Sequence, residues 1–197
     1  MWSYRTYGIP DEMFDKLEGI VMTKEEVRVI SISKMRIREG DVVVDIGCGT
    51  GSIAIELANI VGSTGVVYAI DRNEKAIEIA KRNATRFGVD RVIRFIHGEA
   101  PNALSLLPRE LDAVFIGGSS GRLDEIIAVA FDRLRYGRRI VLNLTLLENI
   151  YTALSIMKKL GMKLEVVMVQ VARGEPLGYG LFLRGGNPVF IIAGEKT

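Results

Sequence analysis

The stretch Asp45-Ile46-Gly47-Cys48-Gly49-Thr50-Gly51 follows an apolar, β-branched run at residues 42–46 and leads into a helix-period segment at 51–61. A glycine-rich turn between a buried strand and a helix lets backbone approach a ligand closely. The free N–H groups of the helix start then point at that ligand. A dinucleotide fingerprint needs glycines spaced G-x-G-x-x-G. Counted from Gly47, the third would fall at 52, which is Ser52, so the spacing here is G-x-G-x-G. Asp45 stands just before it. A carboxylate at the strand tip opposes a pyrophosphate, but it suits the ammonium group of S-adenosylmethionine, directly or through water.

The same rhythm continues outward. Residues 66–70, 92–96, 113–116 and 140–144 are almost continuously apolar, as strands covered on both faces are. Helix-period segments at 73–87, 101–107, 123–134 and 146–160 alternate with them. Asn73 reads as an N-cap, Gly88 and Gly161 as C-terminal stops, and Pro101 as a helix start. A further helix, 23–35, precedes every strand. Its Thr23-Lys24-Glu25-Glu26 opening reads as a capping box, with Thr23 on the Glu26 amide and Glu26 reaching back.

Strict alternation predicts a parallel sheet with right-handed crossovers. The rhythm breaks at the end: 163–171 and 188–193 read as strands joined by a glycine-rich connection, 172–187, with no helix, which predicts an antiparallel pair. The expected fold is α/β, a Rossmann-like class I methyltransferase domain. Its sheet would be seven-stranded, mostly parallel and doubly wound, ending in an antiparallel strand pair. A dinucleotide fold would carry a sixth parallel strand instead. The chain reads as a single domain, 1–197, with an N-terminal segment and helix (1–35) before the α/β core (36–197).

Composition narrows the function. The chain has 197 residues, with 26 basic and 24 acidic side chains and a formal charge of +2. That balance gives no electrostatic case for nucleic-acid binding. Cys48 is the only cysteine, so no intrachain disulfide is expected, and a reducing, cytoplasmic compartment is the natural reading. No run approaches a membrane span, and Met1 to Pro10 does not read as a signal peptide.

Asp71 lies 20 positions after Gly51, at a strand end, where a carboxylate can accept both hydroxyls of a ribose. Asn73 is better placed than Asp71 as the helix cap. His97-Gly98-Glu99-Ala100-Pro101 follows the third strand, in the loop that lines an adenine pocket in this fold; Glu99 is alternatively a helix-start charge. Cys48 and His97 read as structural: Cys48 lies inside the glycine loop, and the lone histidine is not obviously paired with it. No metal-ligand spacing occurs. Gly117-Gly118-Ser119-Ser120-Gly121, at the fourth strand's end, reads as a tight turn or as a wall of small residues admitting a bulky acceptor. Arg173 is a candidate carboxylate anchor. Arg133, Arg135, Arg138 and Arg139 read as a solvated helix end and turn.

Four further segments are quoted together: Gly8-Ile9-Pro10-Asp11-Glu12-Met13-Phe14, Met22-Thr23-Lys24-Glu25-Glu26-Val27-Arg28, Ala172-Arg173-Gly174 and Asn187-Pro188-Val189. With the Gly117–Gly121 turn they make the chain resemble the CbiT family, the decarboxylating cobalt-precorrin methyltransferases of anaerobic cobalamin biosynthesis. It is also similar to the C-terminal domain of the larger aerobic enzyme that methylates precorrin-6B. The resemblance implies methylation of C15 of cobalt-precorrin-6B with loss of the ring C acetate carboxyl as CO2. It implies S-adenosylmethionine contacts from Thr23, Gly47, Cys48, Gly49, Thr50, Gly51, Asp71 and Ala100; the reading of the residues themselves adds Asp45 and Glu99, and offers Gly117, Gly118, Ser119, Ser120 and Arg173 as acceptor contacts. Family members often carry Asp where this chain has Glu99. A homotetramer is implied, with no metal held by the protein itself and no catalytic side chain singled out. Rival readings are a methyltransferase for tRNA adenine or for protein, an NAD-dependent oxidoreductase, which Ser52 and the terminal strand pair disfavour, and a non-catalytic scaffold.

Overall fold

The computed structural model describes every residue except Met1, Ser3 and Arg5; the reading of Met1 to Pro10 therefore falls partly outside the described residues. Five strands run parallel: β1 (Val42–Ile46), β2 (Val66–Asp71), β3 (Ile93–His97), β4 (Leu111–Ile116) and β5 (Leu134–Leu144). They are followed by β6 (Lys163–Val169), a hairpin of β7 (Ala172–Leu177) and β8 (Gly180–Gly185), and β9 (Val189–Glu195). The main sheet has seven strands in the order β3-β2-β1-β4-β5-β9-β6. Only β9 runs against the others, inserted between β5 and β6. This is the expected class I methyltransferase arrangement.

Alternating side chains place Val43 and Val44 of β1 on opposite faces, both fully buried. One face packs under α1 (Glu25–Met35), α2 (Ser52–Val61) and α3 (Glu74–Phe87). The other packs under α4 (Leu123–Arg133) and α5 (Leu147–Lys159). Burial on both faces explains why the strands read as unbroken apolar runs. The order reverses at β1, whose neighbours are β2 and β4, and this opens a crevice at the carboxyl ends of the strands.

Four local expectations change. The capping box does not form: the N-cap of α1 is Lys24, without a side-chain bond. Glu26 instead accepts two hydrogen bonds from Arg173 (2.9 and 2.6 Å), and Arg28 takes the Thr23 carbonyl (2.6 Å). Residues 101–107 form only a 3₁₀ turn, Asn102–Leu106. The 172–187 connection is itself the β7–β8 hairpin, turned by Gly178-Tyr179 with Gly178 at φ +58°. Finally, β5 starts at Leu134 rather than 140. Its polar start hid it, because Arg135 and Arg138 pair with Asp112, and Arg138 also pairs with Asp41. Arg139 is buried against Glu195 and Glu165, not solvated.

Candidate active site

The turn after β1 is tied to both neighbouring strands. The Gly47 and Cys48 N–H groups donate to the Ile70 carbonyl (2.8 and 3.0 Å), and Gly117 N–H donates to the Ile46 carbonyl (2.8 Å). The result is a cleft of about 350 Å³ over the carboxyl ends of β1, β2 and β4. Gly47, Gly49, Asp71, Glu99, Ala100, Gly117, Gly118, Ser119 and Ser120 all line it. The sequence reading thus brings nine of its fifteen candidates into one hollow.

Asp71 holds its place by accepting Gly49 N–H on Oδ2 and Asn73 N–H on Oδ1, each at 2.9 Å. Each carboxylate oxygen keeps lone-pair capacity for a further donor, so the group can take a pair of hydroxyls. Asn73 is the cap of α3, accepting Lys75 N–H at 3.0 Å. Glu99 pairs with Arg72 at the cleft rim (3.6 Å). The helix α2 has Gly51 as its N-cap, with no side-chain cap and no acidic residue in its first turn; its first residues, Ser52, Ile53 and Ala54, are buried and do not line the cleft.

The glycines divide by task. A β-carbon at Gly49, which sits at φ +54°, would collide with the Val21 carbonyl. At Gly51, at φ +80°, it would meet the Ala80 side chain at 2.9 Å, so this glycine serves the packing of α2 on α3.

The remaining candidates lie elsewhere. Asp45, Cys48, Thr50 and Gly51 are buried and do not line the cleft. Asp45 is fully buried and neither carboxylate oxygen has a hydrogen-bond partner. Burial, then the charge of Asp71, pushes its pKa up to about 8, and a weak interaction with the Ala54 N–H offsets part of this. Burial likewise pushes the Cys48 thiol up, with Asp45 and Asp71 adding to it, so a thiolate nucleophile is disfavoured. Thr23 does not line the cleft, and Arg173 sits in a separate hollow, paired with Glu26 and Asp11. His97 is exposed, with its ring on the Arg72 carbonyl (3.0 Å).

Sequence reasoning missed the strap Gly19-Ile20-Val21, which forms one wall of the cleft, and the neighbours Arg72, Ala76 and Ile126. The strap belongs to no regular element, so no periodicity marks it. The residues present fit S-adenosylmethionine: glycine backbone at Gly47 and Gly49 with no room for a β-carbon, and the Asp71 carboxylate with spare lone pairs.

The sequence profile of the family described as precorrin methyltransferase domain matches residues 13–196. The chain belongs to this precorrin methyltransferase family. It is 47% identical over 196 residues to a protein of Saccharolobus solfataricus described as "Probable cobalt-precorrin-6B C(15)-methyltransferase (decarboxylating)", covering 99% of this chain and 98% of that one. Among solved structures it is similar to precorrin-6y C5,15-methyltransferase from Geobacter metallireducens, with a TM-score of 0.90 and 34% identity over 99% of this chain and 100% of that one. It is also similar to precorrin 8W decarboxylase of Methanobacterium thermoautotrophicum, with a TM-score of 0.89 and 36% identity over 94% and 98%.

The structure gives the motifs of this precorrin methyltransferase a physical task. Arg28, fully buried, donates to Glu56 (2.5 Å), Asp11 (3.2 Å) and the Thr23 and Ile9 carbonyls, and lies over the Phe14 ring. Glu56 in turn accepts the Gly8 and Ile9 N–H groups (2.9 and 3.1 Å). A planar guanidinium serving four acceptors is work that lysine cannot copy. The Gly8–Phe14 and Met22–Arg28 segments are therefore two halves of one buried network.

Proposed function

We propose that this protein catalyses S-adenosylmethionine-dependent methylation of C15 of cobalt-precorrin-6B, with decarboxylation of the ring C acetate, giving cobalt-precorrin-7 in anaerobic cobalamin biosynthesis. The full-length match to a relative described by that activity carries the reading. S-adenosylmethionine supplies an electrophilic methyl group on a good leaving group. Charge closes without outside reagents: a sulfonium becomes a neutral thioether, and a carboxylate leaves as CO2.

The side chains then need only bind, orient and exclude water. Asp71 would hold the ribose hydroxyls, the Gly47–Gly51 turn the amino acid part, and the Glu99–Ala100 turn the adenine. Gly117, Gly118, Ser119 and Ser120 separate donor from acceptor and offer small side chains to a flat ring. Thr23, Asp45, Cys48, Thr50 and Gly51 would act by shaping the cradle from behind.

We further infer a homo-oligomer, a tetramer by family resemblance. The hairpin exposes Leu177, Tyr179, Leu181, Phe182 and Leu183, and an isolated two-stranded hairpin is marginal in water unless covered. We read the compartment as cytoplasmic, with neither nucleic acid nor membrane as a partner. No helix among the described residues is long and apolar enough to cross a membrane. The cobalt arrives with the substrate.

Incubation with methyl-labelled S-adenosylmethionine and cobalt-precorrin-6B should label the tetrapyrrole and release CO2 in equal amounts. Label on tRNA or protein instead, with none on the tetrapyrrole, overturns the assignment. Light scattering reads the oligomeric mass.

A further inference from the structure

The donor cleft is one of three hollows at the same edge of the sheet. A second, about 300 Å³, shares the Gly117–Ser120 wall with it and continues to Asn143 and Leu144 at the end of β5. A third, about 380 Å³, lies beyond, where β9 and β6 meet the hairpin and the start of α1. The register places it at the same edge: Leu144 of β5 faces Phe190 of β9, and Val189 of β9 faces Val169 of β6. Its floor is apolar, made by Val27, Val169, Val171 and Val189, and its rim carries Lys24, Arg173 and Arg184.

Each hollow alone is at the small end of ligand pockets, which run from about 300 to 1,000 Å³. Strand spacing of about 4.8 Å puts β4 and β6, three steps apart, about 14 Å from one another. A macrocycle of four pyrrole-type rings with carboxylate arms needs such a span and combines an apolar face with a charged rim.

The rim has spare donors. Among the described residues the Lys24 ammonium ion-pairs only with Asp11, at 3.9 Å, and its side chain is 61% exposed. Arg184 reaches Glu175 through Nε (3.0 Å) with its side chain 70% exposed, which leaves its terminal nitrogens for another acceptor. Arg173 is mostly committed to Glu26 and Asp11, so the two freer cations carry the prediction.

We propose that the tetrapyrrole acceptor lies along this edge from the Gly117–Ser120 wall to the Val171–Val189 hollow, with Lys24 and Arg184 binding its carboxylate arms. This rests on the function proposed above and adds two specificity-determining residues. The rim cations and the apolar floor fit a carboxylated flat ring; a second copy seated in this hollow is the outcome that the oligomeric mass detects below.

The test uses Lys24→Ala and Arg184→Ala in the full-length protein. Equilibrium binding of cobalt-precorrin-6B without donor should weaken about 10-fold in each variant, the loss expected for one charge-assisted contact. KM for it should rise in parallel, while S-adenosylmethionine affinity, melting temperature and oligomeric mass stay unchanged. Binding within twofold of the parent in both variants overturns the proposal. So does a change of oligomeric mass with unchanged binding, which assigns the hollow to a neighbouring copy. A parent that binds the acceptor without methylating it refutes the proposed reaction and leaves this site standing when the variants weaken binding; a parent that does not bind it refutes both.

Discussion

Asp45→Asn should make the free protein progressively more stable than the parent as pH rises. Asp45 is fully buried with both oxygens unpartnered, and its pKa stands at about 8 against an ordinary 3.8. A folded pKa above the unfolded one means that the native state holds the proton more tightly. Its stabilising effect is complete below about pH 3.8 and is lost as pH climbs to about 8. Between pH 5 and pH 8 the parent should lose roughly 4 kcal/mol from this group. At ~2.1 cal/mol/K per residue, the unfolding entropy of 197 residues is about 0.4 kcal/mol/K. The loss then corresponds to roughly 10 °C. Asparagine does not ionise, so it escapes the loss. Its buried amide carries its own cost, but that cost does not vary with pH and cancels in the comparison. Thermal unfolding of both proteins without ligand, at half-unit steps from pH 5 to 8, reads the gap directly. A gap that stays flat to within about 2 °C refutes the reasoning, because Asp45 would then have found a partner or water.

Arg28→Met should cost about 3 kcal/mol, because it strands Glu56 as a buried charge, while Asp11 keeps Arg173; chemical denaturation reads it, and Arg28→Lys should recover only a part, since one ammonium cannot serve four acceptors. Asp71→Asn should weaken S-adenosylmethionine about 100-fold by calorimetry, the value of two hydrogen bonds to a charged group, and an unchanged affinity removes Asp71 from the ribose site. Gly49→Ala should weaken the same ligand, because the added methyl group displaces the Val21 carbonyl from the cleft wall; an unchanged affinity with an intact fold refutes the role of the strap.

The central strands were legible because burial on both faces leaves a continuous apolar run, and β1 was read at its true bounds, Val42–Ile46. The start of β5 was not legible, because Arg135 and Arg138 are strand residues answering Asp112 and Asp41 across the sheet, and one-dimensional pattern reads charge as surface. The capping box failed for a related reason: Glu26 obeys a partner 147 positions away, Arg173, rather than its local rule. In the cleft, Asp71 and the Gly117–Ser120 turn were legible from their places at strand ends, whereas Ala100 rested on the family resemblance. The strap was not legible, because it gains its position from tertiary contacts. Gly51 has a packing task that the glycine spacing did not reveal: its missing β-carbon makes room for Ala80.

The strap links the family's motifs to the donor site. One of its ends is fixed by Asp15, whose N–H and carbonyl bond Asn83 of α3 (2.8 and 3.1 Å). The other is fixed by the Thr23 carbonyl on Arg28. Between them Val21 is 84% exposed, while its carbonyl presses on Gly49. The strap thus has firm ends and a middle held chiefly by the glycine loop. Arg28 sets one end, and Arg173, reaching from the hairpin to Asp11 and Glu26, braces the same network. The Gly8–Phe14 and Met22–Arg28 segments therefore meet at Arg28 and anchor one end of the strap that walls the cleft. Hairpin, N-terminal segment and donor cleft share one charged framework, so a change at Arg173 should be felt at Gly49 without either residue touching the other.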